Sequence, residues 1–112
     1  VTGHEDNRKL QAIARDCGGL ATAVALARRA IAEGGKAELE PLVDRLRELL
    51  DAVDAAPAAE RPRLLPQLMG LAEEIEALGG TIAAERRRCC EALAKGEVSA
   101  RAAAAYAKTN LN

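Results

Sequence analysis

The stretch LQAIARDCGGLATAVALARRAI, from Leu10 to Ile31, decides the fold. Within it Leu10, Ile13, Cys17, Leu20, Val24, Ala27 and Ile31 recur at alternating steps of three and four, which lays them along one stripe of an α-helix. Such a stripe is the aliphatic seam of a helix packed lengthwise on another. Gly18 and Gly19 lie off the seam and its phase is the same on both sides of them, so the reading is one helix running through the pair, at about 1 kcal/mol per Gly relative to Ala. A bend at the paired small residues is the alternative. Gly34 and Gly35 supply a left-handed stop, giving a first helix over about 6–33.

The same spacing continues outward. A second helix over about 37–55 carries Leu39, Leu42, Leu46, Leu49 and Val53, with Val43 and Leu50 broadening the stripe. Pro41 is admissible there because a first-turn N–H has no intrahelical partner. The segment from Ala55 to Arg63, with Pro57 and Pro62, reads as the linker. A third helix over about 63–95 follows, its seam built from Leu68, Leu71, Ile75, Leu78, Ile82, Cys89 and Ala92, with Gly79 and Gly80 again off the seam. Glu85 occupies the slot between Ile82 and Cys89. A carboxylate there implies either pairing with an Arg or a place where packing opens to water. Gly96 ends the third helix, and Ser99 is a good N-cap for a short fourth one over about 99–109. The expected fold is all-α, an antiparallel helical bundle or long helical hairpins in one domain of 112 residues.

Composition agrees with this. Apolar residues make up 49% of the chain, yet Phe and Trp are absent and Tyr106 is the one aromatic, so the core is aliphatic and helix formers dominate. Ordering a chain of this size costs more than burial of its Leu, Ile and Val side chains returns, so packing against a second copy or a partner would help. The 16 basic and 17 acidic residues leave a net charge of -1, which favours neither nucleic acid nor an anionic membrane as partner. The uncharged run from Cys17 to Ala27 is too short to span a bilayer, and Glu5, Asp6 and Asp16 argue against a signal peptide. Three cysteines without CxxC spacing point to a reducing compartment, with the cytoplasm as the expected location.

No residue set calls for a cofactor or a metal, and an enzyme is not expected. His4 is the single histidine and has no thiolate or carboxylate partners at ligand spacing. Arg86, Arg87 and Arg88 are consecutive and therefore point in different directions on a helix, so they read as a solvated face without the interleaved aromatics that stack on bases. Cys89 and Cys90 diverge by about 100° around a helix and do not bridge each other. Cys17 and Cys89 fall on seams and read as small core hydrophobes, which leaves Cys90 as the accessible thiol. Glu73, Glu74 and Glu76 form the polar back of an amphipathic helix.

Two stretches resemble known families. His4-Glu5-Asp6-Asn7-Arg8-Lys9-Leu10-Gln11-Ala12-Ile13 is similar to the phosphoacceptor helix of histidine phosphotransfer and histidine-kinase dimerisation domains, which implies His4 as a phosphoacceptor. The C-terminal ALAKGEVSARAAAAYAK, Ala92 to Lys108, resembles the ending of flagellar type III export chaperones of the FlgN and FliT kind, whose helices finish with a Lys-Gly-like turn and an Ala-Tyr pair, here Ala105-Tyr106. That likeness implies a small helical cytoplasmic protein that binds the helical segment of an export substrate. The leading expectation is thus a non-enzymatic helical binding protein holding a partner helix in an apolar groove. Leu64, Leu65, Leu68, Met69, Ala102, Ala105 and Tyr106 are its candidate contacts, because they exceed what one narrow stripe can bury. A phosphotransfer protein using His4 and a structural homodimer are the alternatives.

Overall fold

A computed structural model of the chain describes residues 2–96, with side chains from residue 7 onward. It contains three α-helices, α1 (Thr2–Ala32), α2 (Glu40–Ala55) and α3 (Leu65–Lys95), and no strand among the described residues. The expected helix over 99–109 lies outside them.

Helix α1 runs unbroken through Gly18 and Gly19, and α3 runs unbroken through Gly79 and Gly80. The stop at the end of α1 is a Schellman motif: Gly34 has φ +84°, its N–H donates to the Ile31 carbonyl at 3.0 Å, and the Gly35 N–H donates to the Ala30 carbonyl at 2.8 Å. Helix α2 starts three residues later than its apolar spacing implies, and Leu39 stands outside it as the N-cap. Pro41 is the reason. A helix begun at Ala37 would set the proline ring against the carbonyl four residues back, whereas beginning at Glu40 leaves Pro41 in the first turn, where its missing N–H costs nothing.

After α2 the chain turns at Pro57, whose carbonyl accepts from the N–H groups of Glu60 and Arg61. Arg61 then reaches back and donates to the carbonyls of Asp54 at 2.7 Å and Ala56 at 3.2 Å, so a cation closes the negative end of α2. One 3-10 turn, Arg61–Leu64, precedes α3, and Pro62 and Pro66 each sit at the start of their segment, where proline belongs.

The seam of α1 is the core. Leu10, Ile13, Cys17, Leu20, Val24 and Ala27 are all buried, and they meet Leu49, Val53 and Ala56 around α2, then Leu64 and Leu71 at the start of α3. Helix α1 packs against both other helices, chiefly α3, while α2 and α3 scarcely meet. Cys17 lies beside Gln67 and Arg28 beside Glu74, so α1 and α3 run in the same sense with α2 returning between them. The Arg28–Glu74 ion pair, at 3.3 Å with side chains 40% and 32% exposed, fixes register more than it stabilises.

The two long helices are staggered rather than flush. Pairing Cys17 of α1 with the first turn of α3 leaves the second half of α3 projecting past the end of α1. The extents are 72 × 27 × 19 Å and the radius of gyration is 20.9 Å, against about 13 Å for a compact chain of this length. This stagger corrects one expectation. Cys89 and Ala92 continue the spacing of the α3 seam but are exposed, because among the described residues no helix lies beside α3 at that level. Glu85 marks the change and pairs with Arg88 of its own helix at 2.8 Å rather than with an Arg of another.

Candidate functional site

Because α2 and α3 both pack on α1 and hardly on each other, a furrow runs between them with α1 as its floor. Leu20 and Val24 form that floor; Leu42, Val43 and Leu46 form the α2 wall, and Ile75 and Leu78 the α3 wall. Leu39 closes one end, so every side chain lining the furrow is aliphatic. The furrow has a volume of about 130 Å³, and the rim residues Val43 and Ile75 are 49% and 36% exposed. A trough that is apolar on both walls and open along its length fits one thing well, the apolar face of another helix.

The residues expected to make partner contacts are distributed differently. Leu64 is buried in the core beneath α3, which removes it from any external surface. It sits at the inner edge of the 3-10 turn, where the chain swings from α2 back onto α1. Leu68 is half-buried and packs against the same core. Leu65 and Met69 are more than half exposed, on the outer side of α3 away from α1. Ala102, Ala105 and Tyr106 lie outside the described residues. His4 falls in the first turn of α1, and its side chain also lies outside them.

The furrow walls on α2 were signalled in the sequence only by width. Leu42 and Leu46 face inward as a narrow stripe should, but Val43 and Leu50 double the apolar face to more than contact with α1 can cover. Nothing in the spacing says that α3 will stand opposite.

The thiols divide into two environments. Cys17 is 1% exposed and donates its S–H to the Gln67 carbonyl at 3.1 Å, tying the middle of α1 to the first turn of α3. Burial pushes its pKa above the ordinary thiol value, since a thiolate there would be desolvated. Cys89 and Cys90 are exposed on the projecting half of α3. Treating the native protein with a thiol-reactive chromophore is therefore expected to label two cysteines promptly and the third only on unfolding. Linkage adds a pH dependence. The folded protein holds the Cys17 proton more tightly than the unfolded chain does, so its contribution is complete below the ordinary thiol pKa and is lost as pH rises toward the elevated folded one. A denaturation midpoint that falls at alkaline pH in the native sequence, but not in Cys17→Ala, checks this.

Among the described residues no three His, Cys, Asp or Glu side chains gather to hold a metal ion, and no helix is long and apolar enough to cross a membrane. Comparison with family models, curated proteins and solved structures finds no match to this chain. The class defined by fold and site together is an elongated all-α protein with an open apolar furrow among its described residues.

Proposed function

We propose that this protein is a non-enzymatic helical binding protein, working in the cytoplasm, that seats an amphipathic helix of a partner in the furrow between α2 and α3. The observation that carries the reading is the uniformly aliphatic lining of that furrow, from Leu20 on its floor to Val43 and Ile75 on its rim. Apolar surface arranged as an open trough keeps its solvation cost in the free protein and recovers it when a matching face enters. An incoming helix presenting aliphatic residues at i, i+3, i+4 and i+7 meets both walls at once.

The likeness of Ala92 to Lys108 to flagellar export chaperones makes the helical C-terminal segments of late flagellar export substrates the first partners to try. In a direct titration with such segments, Val43→Asp is expected to weaken binding by at least about tenfold, since a carboxylate on the rim must be desolvated when the trough closes. Val43 is half exposed, so the variant keeps its fold. Absence of binding by the native chain, or equal binding by Val43→Asp, overturns the proposal.

A further inference from the structure

The outer face of α3 carries a second pattern, separate from the seam that packs on α1. From Met69 to Leu93, residues on this face also recur at alternating steps of four and three, and all of them are exposed. Met69 and Leu93, at the two ends, are 55% and 58% exposed. Between them lie Ala72, Glu76, Gly79, Ala83, Arg86 and Cys90. Gly79, Ala83, Arg86 and Cys90 border a hollow whose lining, among the described residues, comes from α3. A Cβ at Gly79 or Gly80 would meet nothing within 4 Å, so nothing among the described residues explains two glycines in mid-helix.

The order of these residues is the same read from either end. About a point at Thr81, Met69 mirrors Leu93, Ala72 mirrors Cys90, Glu76 mirrors Arg86 and Gly79 mirrors Ala83. Apolar stands opposite apolar at the ends, small opposite small at the centre, and acid opposite base between them. Neither Glu76 nor Arg86 takes part in an ion pair among the described residues. A two-fold interface requires this self-complementarity, because each residue meets its mirror in the other copy.

We propose that the outer face of α3 is an interface for a second copy of this chain, paired antiparallel along residues 69–93 about an axis near Thr81. The projecting half of α3 from each copy then lies on the packed half of the other. Glycine at 79 and 80 lets the two helices approach closely where they cross. Charge fixes the direction: a parallel pair would set Glu76 on Glu76 and Arg86 on Arg86, whereas the antiparallel pair sets Glu76 on Arg86 twice. This goes beyond the furrow reading and does not depend on it, since Leu20, Val24 and Val43 take no part.

Sedimentation of the full chain over a concentration series, under reducing conditions, tests it. The native chain is expected to show a reversible monomer–dimer equilibrium. Arg86→Glu and Glu76→Arg alone each create two like-charge pairs and are expected to weaken the dimer by at least about tenfold. Mixing these two single variants creates only attractive pairs, as does placing both changes in one chain, and both arrangements are expected to return the dimer to within about threefold of native. Both positions are exposed, so the monomer keeps its fold. A monomer across the whole series, a dimer that either single reversal leaves unmoved, or a doubly reversed chain that stays as dissociated as the singles overturns the proposal. Val43→Asp is expected to leave this equilibrium unchanged, which separates failure here from failure of the furrow reading.

Discussion

Leu20→Ala is expected to remove about 2–5 kcal/mol of stability, a large share of what a chain of this size possesses. Leu20 is 2% exposed and is one of the two largest fully buried side chains; it faces both Leu49 of α2 and the floor of the furrow. Truncation loses the transfer energy of the removed methyl groups and leaves a cavity that two helices, each gripping α1 on its own side, cannot both close. Leu26 on the same helix is the control, since at 59% exposed its replacement by Ala is expected to cost within about 0.5 kcal/mol. Urea unfolding followed by circular dichroism checks the pair, at one low protein concentration because self-association adds to apparent stability. Equal midpoints for the two variants would mean that α1 is not the strut between α2 and α3.

How far the sequence could be read follows from what spacing encodes. Periodicity reports which residues share a face, and along α1 that was sufficient: Cys17, Leu20 and Val24 share a face and are buried there. Gly34 was legible for a similar reason, because a glycine pair after the last seam residue answers a local backbone need that glycine meets best. Periodicity does not report whether anything lies against the face. Cys89 and Ala92 hold their place in the α3 pattern yet are exposed, since the stagger of α1 and α3 is set by the length of α2 and by the turn at Pro57. The late start of α2 was legible in principle from Pro41, because the carbonyl it would clash with is four residues upstream. Leu64 shows the remaining gap. An apolar residue beside a proline in a linker can cap the core or sit on the surface, and only the path of the chain through the 3-10 turn decides which. The furrow is of the same kind, because its walls lie on helices that do not pack on each other.

Proline placed in the middle of α1 and in the outer half of α3 is expected to give opposite outcomes. Gly18→Pro removes the hydrogen bond from residue 18 to the carbonyl four residues back and drives the ring into that carbonyl, a cost of about 3 kcal/mol or more. The damage falls beside Cys17 and Leu20, where α1 is held by α2 on one side and α3 on the other, so no rigid half can swing away without opening the core. The chain is expected to be largely unfolded at room temperature by circular dichroism. Gly18→Ala at the same position, where a Cβ has open space and the backbone is already helical, is expected instead to raise stability by about 1 kcal/mol. Ala84→Pro imposes the same local disruption on α3, but past the level of α1, where Ala83, Ala84 and Arg86 to Ala94 are exposed. There the kink has no core to break, so the thermal midpoint of the monomer is expected to move little while self-association along α3 is lost. An Ala84→Pro chain as unstable as Gly18→Pro would show that the outer half of α3 is held by the rest of the fold. A kinked α3 that still dimerised with native affinity would show that the straight outer face is not where two copies meet.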